Sequence, residues 1–125
     1  MKTSIYDQHS EHTEWLKKLS FYTDEVKIMQ ERLEEISSKN SALEVRKEIE
    51  HFQNQLFIQT KNMDEMRRAI KLDEKVIVAN ISENPVASDH RKTEDHKEER
   101  EKIEAFESNF NGLRNEFKEF LAKRM

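Results

Sequence analysis

Residues 5–36 read IYDQHSEHTEWLKKLSFYTDEVKIMQERLEEI, and the fold follows from counting along them. Ile5, Gln8, His12, Trp15, Leu19, Tyr22, Val26, Met29, Leu33 and Ile36 are spaced alternately three and four apart without a break. Such spacing averages about 3.5 residues, which keeps one stripe of a helix turned toward near-parallel neighbours with knobs packed into holes. The stretch therefore predicts one continuous helix over about 4–38.

The stripe stops at Ser37-Ser38-Lys39-Asn40. Ser41-Ala42-Leu43-Glu44 then has the form of a capping box, in which serine oxygen and glutamate satisfy orphan amides reciprocally. It predicts a second helix over about 41–80, with the seam Ala42, Val45, Ile49, Phe52, Leu56, Gln59, Met63, Met66, Ile70, Asp73 and Ile77. So short a connection makes the two helices antiparallel. A second break runs from Asn80 to Ala87, where Pro85 stops the helix and biases Asn84 to an extended conformation. Ser88 or Asp89 can cap a third helix over about 88–124, with the seam Asp89, Lys92, His96, Glu99, Ile103, Phe106, Phe110, Leu113, Phe117, Phe120 and Arg124. Gly112 reads as close packing or mild weakening rather than a break. The expected fold is all-α: one domain over 1–125, an elongated antiparallel three-helix bundle with heptad seams, which dimerisation would complete into a larger bundle. Its strongest core is expected around Met29, Phe52, Phe106, Phe110, Phe117 and Phe120.

Composition agrees with this. One glycine, one proline and 38% charged residues in 125 suit a chain that is nearly all helix with solvated outer faces. The net charge of −4 comes from interleaved acids and bases, which argues against a nucleic-acid or anionic-membrane surface. The basic knot of Arg67, Arg68 and Lys71 is read as a solvated helix face. Without cysteine there is no disulfide, thiolate metal site or thiol nucleophile. The first residues turn polar at once, with no apolar leader, and no stretch approaches bilayer length, so the expected compartment is the cytoplasm.

Polar residues on an apolar seam are the informative exceptions. Folding the chain about its two turns places Asp73 beside Ile5 to Gln8 and beside Asp95 and His96, with His12 and Glu99 close to the same level. His12, Asp73, His96 and Glu99 thus come from three helices to one end of the bundle, with His9 flanking. Zinc, iron and manganese accept this mixture of imidazole and carboxylate donors at about 2.0 to 2.2 Å, so the set is a candidate site for a divalent transition metal. The competing reading is an open, hydrated bundle end whose polar groups fix register at some cost in stability.

Other motifs carry less. Glu48 and His51 have the Glu-x-x-His spacing of di-iron carboxylate bundles, but those sites need two such motifs and two further glutamates pointing inward. Trp15 and Tyr22 are expected in the core rather than around a cofactor. One glycine allows no glycine-rich phosphate loop, and a thin rod offers little concave volume for a substrate. Phe21 and Ile28 on the first helix and Phe57, Ile58 and Leu72 on the second lie outside the seams. If exposed they would form an interface, so self-association or a protein partner through helices 1 and 2 is expected.

The wording Glu11-His12-Thr13-Glu14-Trp15, Phe21-Tyr22, Glu50-His51-Phe52-Gln53-Asn54-Gln55 and Phe117-Lys118-Glu119-Phe120-Leu121 resembles a group of short, uncharacterised bacterial all-helical proteins. The resemblance implies an all-helical fold and a cytoplasmic bacterial origin, and it brings no known activity. In architecture the chain is also similar to a spectrin-type three-helix repeat with a tryptophan on its first helix. Two functions are expected on this footing: a non-enzymatic scaffold, adaptor or self-associating bundle, or a metal-binding bundle with a His/carboxylate site at its open end.

Overall fold

The computed structural model describes residues 5–83 and 89–125, with side chains described for 6–79 and 96–125. Three helices account for nearly all of them: α1 (Ile5–Lys39), α2 (Leu43–Glu83) and α3 (Asp89–Arg124). At about 1.5 Å per residue these helices are roughly 50 to 60 Å long, and they pack side by side as a three-helix bundle. The expected capping and breaking roles of Asn84, Pro85 and Ser88 lie outside the described residues, as do the side chains at seam positions Asp89 and Lys92. No described helix is long and apolar enough to cross a membrane.

Burial follows the counted seams. Trp15, Leu19, Val26, Met29, Leu33 and Ile36 on α1 are buried, as are Val45, Ile49, Phe52, Leu56, Met63, Ile70 and Ile77 on α2. On α3 the buried apolar positions are Ile103, Phe106, Phe110, Leu113, Phe117 and Phe120. Rings dominate the end near the α1–α2 turn. Phe52 meets Phe117 edge-on at 5.3 Å between centroids and Phe120 at 4.9 Å, while Tyr22 packs on Phe106 and Phe110.

The start of α2 differs from the capping-box expectation. Ala42 is the residue whose carbonyl accepts the first helical bond, from the Arg46 amide at 3.1 Å, and among the described residues Ser41 makes no capping hydrogen bond. The preceding helix is finished by side chains instead: Asn40 Nδ2 donates to the Ile36 carbonyl at 3.0 Å and Ser38 Oγ to that of Glu35 at 2.8 Å. The Asn40 bond reaches one of the four carbonyls that the helix end leaves orphaned. Gly112 also departs from close packing. It is exposed, with nothing within 4 Å of where a Cβ would stand, and α3 runs through it unbroken.

Because α2 reverses the chain, α1 and α3 run parallel. Their flanks are joined by a ladder in heptad steps: Glu11 with Arg100, Lys18 with Glu107, Glu25 with Arg114. Arg114 also lies over the Tyr22 and Phe110 rings, 5.7 and 5.2 Å from their centroids. At the C-terminal end of α3, Arg124 donates two bonds to Glu48 at 2.9 and 3.0 Å.

Candidate metal centre

Two histidines are drawn into the bundle because they occupy seam positions. His12 is 1% exposed and His96 3% exposed, each packed where an apolar residue would ordinarily sit. Trp15, one turn after His12, covers both: it stacks on His96 with centroids 4.7 Å apart and lies 5.6 Å from the His12 ring. The two imidazoles are themselves 5.1 Å apart. Glu99, one turn after His96 on α3, brings a carboxylate, and one donor atom from each of His12, His96 and Glu99 falls within 4.8 Å of the other two.

The hydrogen bonds sort each imidazole into an outer and an inner nitrogen. His12 Nδ1 lies 3.1 Å from Glu74 Oε1, and His96 Nε2 lies 3.0 Å from Glu11 Oε1. His12 Nε2 lies 3.2 Å from Glu99 Oε2, while His96 Nδ1 and Glu99 Oε1 are buried without a hydrogen-bond partner among the described residues. Glu11 is itself fixed by Arg100, which donates to it through Nε at 3.1 Å and Nη2 at 2.6 Å. That guanidinium holds the Glu11 carboxyl below the ordinary carboxylate range, with a smaller contribution from His96. Burial pushes His96 below its ordinary value, against the opposing pull of Glu11, so the neutral imidazole that can ligate a metal is favoured.

Of the four expected ligands, His12, His96 and Glu99 come together and Asp73 does not. Asp73 is half-buried and makes none of the cluster's contacts; Glu74 takes the place beside His12 and also pairs with the flanking His9. The helices also meet at a different level from the expected one, which brings residues 73 and 74 alike beside His12. Thr23 faces Met63 and Arg67, and His12 faces Glu74, several residues further along α2 than folding about the turn places them. At that level a long glutamate on the flank reaches the interior, and a short aspartate on the seam does not.

Three participants were not read from the sequence: Glu74, Glu11 and Arg100. All three stand on seam flanks, where charged residues are the rule and carry no signal alone. The discounted Glu48 and His51 pair with separate residues of α3, Glu48 with Arg124 and His51 with Glu116 at 3.4 Å. No known protein family, curated protein or solved structure matches this chain.

Carboxylates only accept hydrogen bonds, yet both nitrogens of His12 face carboxylate oxygens. A neutral imidazole has one N–H. Three arrangements resolve this: a doubly protonated ring, a protonated carboxyl that donates to the ring, or a cation lying between His12 Nε2 and Glu99. Donors about 2.1 Å from a tetrahedral ion lie about 3.4 Å from one another, close to the His12–Glu99 separation, and drawing in a pair 4.8 Å apart needs a contraction of about 1.4 Å.

Proposed function

We propose that this protein binds a divalent first-row transition metal through His12 Nε2, His96 Nδ1 and Glu99, with Glu74 and Glu11 as the outer carboxylates that orient the two imidazoles. One observation carries the reading. Both buried histidines have one nitrogen on a carboxylate from another helix, and beside those bonds His96 Nδ1 and Glu99 Oε1 are buried with no partner among the described residues. Metal-ligating histidines are held in this way, because the outer hydrogen bond fixes the tautomer and raises the basicity of the ligating nitrogen. Zinc, iron and manganese all suit the donor set.

The test is metal analysis of protein purified without an affinity tag, followed by thermal melting with zinc and with chelator. Zinc at about a hundred times its dissociation constant is expected to add about 2.7 kcal/mol of stability. His96→Ala should remove that gain, and Glu74→Gln should weaken zinc binding by about 10- to 100-fold. No bound metal, no chelator-dependent shift and a His96→Ala variant indifferent to zinc would together overturn the proposal.

A second reading rests on a separate surface. Phe21, Ile28, Phe57, Ile58 and Leu72 are all exposed, Phe57 to 70%. Apolar side chains of this size left in water favour self-association of the bundle through α1 and α2 in a scaffold or adaptor role. Sedimentation equilibrium at high micromolar concentration checks it. A mass of 15.1 kDa, that of a single chain, would exclude it.

A further inference from the structure

A groove of about 360 Å³ runs between α2 and α3, and Glu99 belongs both to its lining and to the histidine cluster. Its apolar wall is made by Met66, Ile70, Ile103 and Phe106, and Lys102 stands one turn beyond Glu99 along α3. The volume falls in the range of small-molecule pockets, about 300 to 1,000 Å³. Three protein donors leave at least one position of a tetrahedral ion for water or an outside ligand.

We infer that this groove admits a small amphipathic carboxylate to the open coordination position of the metal, an inference that rests on the metal reading above. The anionic end would meet the cation and the Lys102 ammonium, and the apolar body would lie on the four hydrophobic side chains. Charge selects the class. Along the groove a divalent ion and Lys102 outweigh Glu99 and Glu65 by one positive charge, while Glu74 and the Glu11–Arg100 pair stand behind the two imidazoles and do not line it. Inorganic anions lack the apolar body, and organic amines meet the wrong sign. Without the ion the same end presents Glu99 itself, which repels a carboxylate. Metal and carboxylate are therefore expected to bind with positive coupling, each tightening the other by the same factor.

The experiment is calorimetric titration of the full chain, first with zinc, then of the zinc-loaded and chelator-treated protein with 4-phenylbutyrate and 4-phenylbutylamine. The expected result is saturable binding of the carboxylate to zinc-loaded protein, binding at least tenfold weaker after metal removal, and none of the amine. Ala69 lines the groove and is exposed, so Ala69→Trp should fill the space and abolish carboxylate binding while zinc affinity stays the same. Lys102→Glu should weaken the carboxylate about tenfold without weakening zinc binding. A chain that takes up no zinc fails at the first titration and overturns the metal site itself. Zinc uptake without saturable carboxylate binding, or carboxylate binding unchanged in Ala69→Trp, overturns the groove alone.

Discussion

The indole of Trp15 lies stacked on the imidazole of His96, with ring centroids 4.7 Å apart and planes 24° from parallel. Trp15 is the only tryptophan, so fluorescence reads this one contact. Cobalt(II), a paramagnetic ion accepted by nitrogen and oxygen donors, is expected to quench it strongly and saturably, with recovery on adding chelator. Quenching no greater in the wild-type chain than in His96→Ala would mean that the ion sits elsewhere.

Acid should loosen the metal-free protein in two stages. His96 has its folded value below the ordinary 6.5, through burial, and Glu11 below the ordinary 4.5, through Arg100. In both cases the unfolded chain takes up the proton more readily. The stability they contribute is complete above the ordinary value and is lost as pH falls through the folded one. The urea midpoint should therefore decline below about pH 6.5 and again below about pH 4.5, and His96→Gln should remove the upper decline. A midpoint that stays level from pH 8 to 5 would contradict this.

Phe110 is fully buried among Tyr22, Phe106 and the Arg114 guanidinium. Removing the ring leaves a cavity that stiff, crossing helices close only in part. Phe110→Ala is expected to cost about 3 to 5 kcal/mol in chemical denaturation. A loss below about 1 kcal/mol would not fit a ring in this position.

Placement of the first helical bond of α2 on Ala42 reverses an expectation about its neighbour. Alanine has no side-chain acceptor for the first amides, so Ala42→Ser should stabilise the protein by about 0.5 to 2 kcal/mol. Ser41→Ala should change it by less than about 0.5 kcal/mol, as for an ordinary surface position. Thermal melts of the two variants side by side decide between Ser41 and Ala42 as the cap.

Gly112 gives up backbone freedom in the middle of α3 and returns no packing, since a Cβ there meets nothing. Gly112→Ala is expected to gain about 0.5 to 1 kcal/mol. A destabilised variant would show that another body covers this face in solution.

Seam burial was legible in the sequence because an unbroken three-four alternation has one physical solution over so many turns. His12, His96 and Glu99 were legible for the same reason, as polar residues on an apolar stripe. Glu74 and Glu11 were not. Each is a flank residue whose importance depends on what stands opposite, and that depends on how far α2 is set along α1. The setting is decided by a turn of three residues, whose capping residue was assigned one position early. The offset amounts to about two helical turns, and at the level it sets Glu74 on the flank, not Asp73 on the seam, meets His12.

The heptad pairs between α1 and α3 settle something that the greasy interior leaves open. Phenylalanines at 110 and 117, or at 106 and 120 with Leu113 between, look nearly alike after the third helix slides by seven residues. The flanking charges do not. Sliding one way sets Glu11 against Glu107 and Lys18 against Arg114; sliding the other sets Lys18 against Arg100 and Glu25 against Glu107. Each slip puts two like charges face to face, so alternating sign along the ladder is what stops His96 from arriving a heptad too high or too low to meet His12.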